Sequence, residues 1–186
     1  SVGPDTSVYL AMRYGRPAIA EVVARMIADG VHEIFLIPQY PHYAMSSWET
    51  VVVRVEEEIR AQAPAVRVEC VAPFYADTDY IAALHAVSAP YFAQPHDHVL
   101  FSYHGVPVRH LRQYGCTRGR SAQAADCCPP GTTSHRTCYR AQVYATTRAL
   151  AARAGLAPDK YSVSFQSRLA GESWCEPFTD AELTRL

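Results

Sequence analysis

Apolar residues along this chain come in blocks, and the spacing within each block predicts an element. Residues 7–12 are a short apolar run and read as a buried strand. Ile19, Val22, Val23, Met26 and Ile27 follow on one helical face, with Pro17 suited to the first turn and Gly30 to the stop. Residues 33–38 predict a second strand. Ser46 or Ser47 is placed to cap a helix carrying Val51, Val52, Val55 and Ile59, ended by Pro64. Residues 66–71 predict a third strand. Asp77 or Thr78 can cap the next helix, and residues 98–103 form a fourth strand. After a loop rich in Gly, Pro and Cys over about residues 114–137, a long helix runs to about Ala154 and stops at Gly155. A fifth strand covers residues 161–165, and Asp180 opens a last helix. Strand and helix alternate throughout, so the chain predicts an α/β fold with parallel strands, and sites belong at the carboxyl ends of those strands.

Composition narrows the function. The 186 residues are 49% hydrophobic and 19% charged, as expected of a folded chain, with a formal net charge of −1. That balance disfavours a nucleic-acid binder, which carries a basic excess. No apolar run reaches the 18 or so residues of a membrane span. The first residues lack the basic and apolar regions of a secretory signal, and both ends look cut, so a longer protein is expected. The expected location is cytoplasmic. No glycine-rich nucleotide motif follows any strand. Six cysteines are present: Cys116, Cys127, Cys128 and Cys138 fall within one loop, while Cys70 and Cys175 stand apart. Without a secretory signal, a metal or cluster site outranks disulfides.

Several strand-end residues suit chemistry. His104 precedes Gly105 and Pro107, where regular structure breaks. A neutral imidazole there can accept a proton near neutral pH or ligate a metal, and the plain alternative is a structural loop histidine. Arg13, beside Tyr14, has the forked donor that suits a carboxylate or phosphate, or a salt bridge to the following helix. Tyr40, Tyr43 and Trp174 are loop aromatics that either line a site for a flat apolar ligand or pack beneath their loops.

Taken together and in order, these segments resemble the ferrochelatase family. The resemblance rests on Met12-Arg13-Tyr14-Gly15-Arg16-Pro17, then Pro38-Gln39-Tyr40-Pro41-His42-Tyr43, then Phe101-Ser102-Tyr103-His104-Gly105-Val106-Pro107. Ser164-Phe165-Gln166-Ser167-Arg168 and Trp174-Cys175-Glu176-Pro177 with Thr179-Asp180 complete it. Tyr103 departs from the small residue usual there. The resemblance implies a chelatase-like fold of two Rossmann-like domains with a porphyrin cleft. Residues 1–94 would form the later part of the first domain and residues 95–186 the first part of the second, with the Cys-rich insert at about 114–138. It implies insertion of ferrous iron into a porphyrin, protoporphyrin IX or coproporphyrin III, in haem biosynthesis. His104 would accept the pyrrole protons and contact the substrate iron. Arg13 would meet a propionate or order the cleft, and Tyr14, Tyr40 and Trp174 would be its walls. The family's second catalytic group, a glutamate, is expected past Leu186, so the chain by itself is expected to lack full activity. The resemblance is also compatible with peripheral association with a membrane. Its alternatives are a cobalt or nickel tetrapyrrole chelatase, and a non-catalytic porphyrin-binding or iron–sulfur sensor protein.

Some bacterial members of the family carry an internal four-cysteine segment that binds a [2Fe–2S] cluster. The C-x10-C-C-x9-C order of Cys116, Cys127, Cys128 and Cys138 is similar to that class. Zinc on the same thiolates and a pair of disulfides remain the alternatives. Cys70 reads as a small core residue and Cys175 as a weak ligand candidate.

Overall fold

The computed structural model describes residues 6–116 and 133–186. These form an α/β fold of two compact units, each with a parallel strand pair flanked by helices. The first unit comprises residues 1–40 and 45–72, the second residues 41–44 and 73–186.

In the first unit, α1 (Ile19–Ala28) and α2 (Thr50–Gln62) pack beside β1 (Glu33–Leu36) and β2 (Arg67–Cys70). The strands pair in parallel, with Ile34 opposite Val68. Ile19, Val23, Ile34, Val55 and Ile59 form the core, as the helical spacing requires. At the start of α1, the Glu21 carboxylate accepts from the Ala18 N–H at 3.4 Å, meeting one of the donors that a helix start leaves open. Gly30, at φ 77°, ends the helix. Two expectations need correction. Residues 7–11 form no strand: Val8 and Leu10 are exposed, and among the described residues the pairing of this run is a single bridge from Met12 to Ala18. The second helix has no serine cap: Met45–Glu49 is a π-type turn that runs into α2.

The second unit contains α3 (Thr78–Phe92), β3 (Val99–His104), α4 (Val108–Gln113), α5 (Tyr139–Arg153), β4 (Tyr161–Gln166) and α6 (Thr179–Arg185). Asp77 caps α3 as expected, its carboxylate accepting from the N–H groups of Asp79 and Tyr80 at 3.0 Å. β3 and β4 pair in parallel, with Ser102 opposite Ser164 and His104 opposite Gln166. Alternation splits their faces. Phe101, Tyr103, Val163 and Phe165 join the core with Val106, Leu111, Val143 and Cys175, whereas Ser102, His104 and Gln166 are exposed.

Candidate active site

The carboxyl ends of β3 and β4 present His104 beside Gln166, and the chain that follows fixes them. One peptide group joins His104 to Gly105. Its carbonyl accepts from the Tyr139 hydroxyl at 2.7 Å, and its N–H donates to the Gln166 carbonyl at 2.7 Å. A Cβ at Gly105 would lie 3.0 Å from that same Gln166 oxygen and 3.5 Å from Trp174 Cε3. Glycine lets the backbone come this close without crowding that oxygen. The following turn is tied down by the Val108 N–H on the Ser173 carbonyl and the Cys175 N–H on the Val106 carbonyl, at 2.8 and 3.0 Å.

Beneath this edge lies a layer of aromatic groups. His42 sits edge-on to Tyr103 and Tyr139, with ring centres 5.7 and 5.8 Å apart. Its Nε2 lies 2.9 Å from Thr146 Oγ1, whose hydroxyl donates to the Tyr75 carbonyl at 2.6 Å. Nε2 is therefore the protonated nitrogen, since the threonine proton is committed elsewhere. Burial pushes the His42 pKa down to about 4, so the ring is neutral near pH 7. Burial pushes the Tyr103 phenol up to about 12, against the bond to Thr147. Tyr139 is raised too, first by burial and then by Cys175 and Tyr103. Both phenols thus remain donors.

α5 organises this layer. Buried Gln142 accepts from the Tyr43 N–H at 2.7 Å and donates to the carbonyls of His135 and Arg136 at 3.0 and 2.9 Å. On the far side of the strands, Thr179 Oγ1 lies 2.9 Å from Ser164 and 3.2 Å from Ser102. Arg168 reaches Asp180 at 2.8 Å and lies 4.0 Å above the Phe178 ring, so the serine-arginine motif is a clamp on α6.

The other expected residues are placed as follows. Arg13 bonds through Nε to the Thr50 carbonyl and hydroxyl, at 3.2 and 3.0 Å, and stacks over Tyr14 at 4.7 Å. Among the described residues its bond is to the start of α2 and not to a carboxylate. Tyr14 and Tyr40 are exposed and belong with Arg13 to the first unit. Trp174 is 8% exposed; it packs against Gly105 and pairs with Pro107 in a single bridge. His42, Tyr103 and Tyr139 were not expected as members of this cluster. His42 and Tyr103 stand inside the quoted motifs, but their partners on α5 are remote in sequence.

Of the insert's cysteines, Cys127 and Cys128 lie outside the described residues. Cys138 is buried at the start of α5. Cys116 is a free, half-buried thiol that accepts from Arg140 Nη2 at 3.7 Å. Both are thiols, the soft sulfur donors that iron and zinc take, and they stand at the two ends of the insert, so these two residues fit such a group. Cys175 is fully buried in the core. Cys70 is half-buried, and desolvation, then Glu56, pushes its thiol up.

Fold and site define an α/β protein that displays a histidine at the carboxyl edge of a parallel strand pair, the edge at which proteins of this fold class bind ligands. The ferrochelatase family model matches residues 2–186, and the chain belongs to that family. It is 67% identical over 186 residues to the ferrochelatase of Opitutus terrae, covering the whole chain and 54% of that protein. It is 42% and 41% identical over 184 residues to the ferrochelatases of Pseudomonas entomophila and Pseudomonas putida strain W619, covering 98% of the chain and 55% of each. The chain thus spans about half the length of the curated relatives it matches. Among the described residues, no helix is long and apolar enough to cross a membrane.

Proposed function

We propose that the protein containing this chain inserts ferrous iron into a porphyrin in haem biosynthesis, in the cytoplasm. The observation that carries this reading is His104, exposed at the end of β3 on a backbone held from both sides. A porphyrin loses two pyrrole protons as a divalent metal enters: two N–H bonds break and bonds form from the ring nitrogens to the metal. A solvent-exposed imidazole at the strand end can take such a proton through a ring nitrogen. His104 is the proposed metal contact and the proposed acceptor, taking the two protons in turn and passing each to the solvent that it faces. Tyr14 and Tyr40 offer exposed rings for the macrocycle. Arg13, with Nε held by Thr50, keeps its terminal nitrogens for a propionate. Trp174 acts from below, holding the turn after His104.

We also propose that Cys116, Cys127, Cys128 and Cys138 hold a [2Fe–2S] cluster. Cys116 and Cys138 would hold such a cluster from the two ends of the insert, and metal insertion itself transfers no electron. The anaerobically purified complete gene product should show two irons and two sulfides per chain and absorption between about 300 and 600 nm. A colourless protein with one zinc would replace the cluster with zinc.

The activity is tested by incubating the complete product with ferrous iron and each porphyrin, beside a His104→Ala variant. Haem formation by the wild type, and a loss of at least about 100-fold in the variant, are expected. Porphyrin binding with no metallation by the wild type would overturn the assignment. Turnover by the 186-residue chain alone, at the rate of the complete product, would remove the need for a glutamate beyond Leu186.

A further inference from the structure

Two hydrogen bonds meet on the peptide that leaves His104, and they come from different elements. One is from β4, the Gln166 carbonyl receiving the Gly105 N–H. The other is the hydroxyl of Tyr139, the first residue of α5. Because a peptide group is planar, fixing both its oxygen and its hydrogen fixes the plane. The plane sets the rotation left to the His104 Cα, and so where its imidazole stands above the strand end. The β4 bond belongs to the strand ladder, and any sequence able to form that ladder would make it. The α5 bond depends on one side chain. We propose that Tyr139 is the positioning residue of His104, its hydroxyl on the His104 carbonyl setting the direction in which the imidazole meets the substrate.

The surroundings of Tyr139 suit this task. Its ring is held edge-on by His42, at 74° between planes, and packs against the core that includes Cys175 and Phe165. His42 in turn is anchored on α5 through Thr146. The hydroxyl therefore rides on a helix and not on a loop. The substrate does not touch Tyr139 in this scheme; Tyr139 acts through His104. An error of about 1 Å in a reacting group can cost on the order of 100-fold in rate, so one lost bond can reduce turnover while binding persists.

This inference rests on the proposed role of His104, and its test has one arm that does not. In the complete gene product, Tyr139→Phe removes the hydroxyl and leaves the ring. Turnover with ferrous iron and porphyrin should fall about tenfold, with KM for either substrate changed less than about twofold. Thr147→Val is the control: it removes a partner of Tyr103 on the same strand and helix, and should leave turnover within about twofold. The independent arm is NMR of protein labelled at histidine ring carbons. Tyr139→Phe should move the His104 signal, assigned by its loss in His104→Ala, and leave the His98 and His110 signals in place. Turnover unchanged in Tyr139→Phe, an equal loss in Thr147→Val, or an unmoved His104 signal would each overturn the inference. If the wild type forms no haem but the His104 signal still moves, the positioning stands and the activity assignment fails.

Discussion

Gly105 makes a direct link between one residue and the site. Its open space is bounded by a backbone oxygen at 3.0 Å, the Trp174 ring at 3.5 Å and the Phe165 Cβ at 3.7 Å. The oxygen belongs to the β3–β4 ladder and cannot swing aside as a side chain would. Gly105→Ala should therefore push the His104 peptide away from Gln166. A destabilisation of about 1–3 kcal/mol is expected, the usual range for overfilling a packed place. Haem formation should fall further than stability alone explains, since the displaced group carries His104. Urea midpoints and initial rates on the same preparation measure both. Sequence reasoning reached His104 and Gly105 because a histidine before chain-breaking residues is visible locally. It missed His42, whose partner Thr146 lies 104 positions away and leaves no local signal.

At the scale of elements, strands and helices were legible wherever burial and period agree. Asp77 caps α3, and Gly30 and Gly155 end α1 and α5 at φ 77° and 70°. Residues 7–12 show the limit of that logic. An apolar run makes a strand only beside a partner, and here only Met12 has one. The six-residue α4 was missed because Val108 and Leu111 are its only buried residues, too few to show a period. The role of α5 was also illegible, since half of its buried residues are polar: Arg140, Gln142, Thr146 and Thr147 bond to segments remote in sequence or just before the helix. Gln142 alone makes three such bonds, with the Tyr43 N–H and the carbonyls of His135 and Arg136. Gln142→Met keeps much of the volume and leaves all three groups unpartnered. A loss of about 3 kcal/mol or more is expected by urea unfolding, because each buried polar group left unmade costs about 1–3 kcal/mol. A loss below about 1 kcal/mol would mean that water takes over these bonds.

Across the whole molecule, acid should weaken the two units unequally. Of the eight histidines, His32 alone lies in the first unit, where it is exposed. His42, His110 and His135 lie in the second, and burial lowers the pKa of each, with Arg109 adding at His110 and Arg148 at His135. An unfolded histidine takes its proton near pH 6.5, whereas folded His42 resists until about pH 4. Between these values the unfolded chain binds the extra proton, so stability is present above about pH 6.5 and is lost as pH falls towards 4. His42 alone accounts for up to about 3 kcal/mol of that loss. The ion pairs of both units are largely exposed and add little of their own. The two tryptophans separate the responses, for Trp48 belongs to the first unit and Trp174 to the second. In a Trp48→Phe variant of the 186-residue chain, the urea midpoint read from Trp174 should fall steadily from pH 6.5 to 4.5. In Trp174→Phe, the midpoint read from Trp48 should change much less over the same range. Replacing His42 by Gln in the first variant should flatten its slope. A slope that survives the replacement would assign the acid sensitivity to His110 and His135 instead.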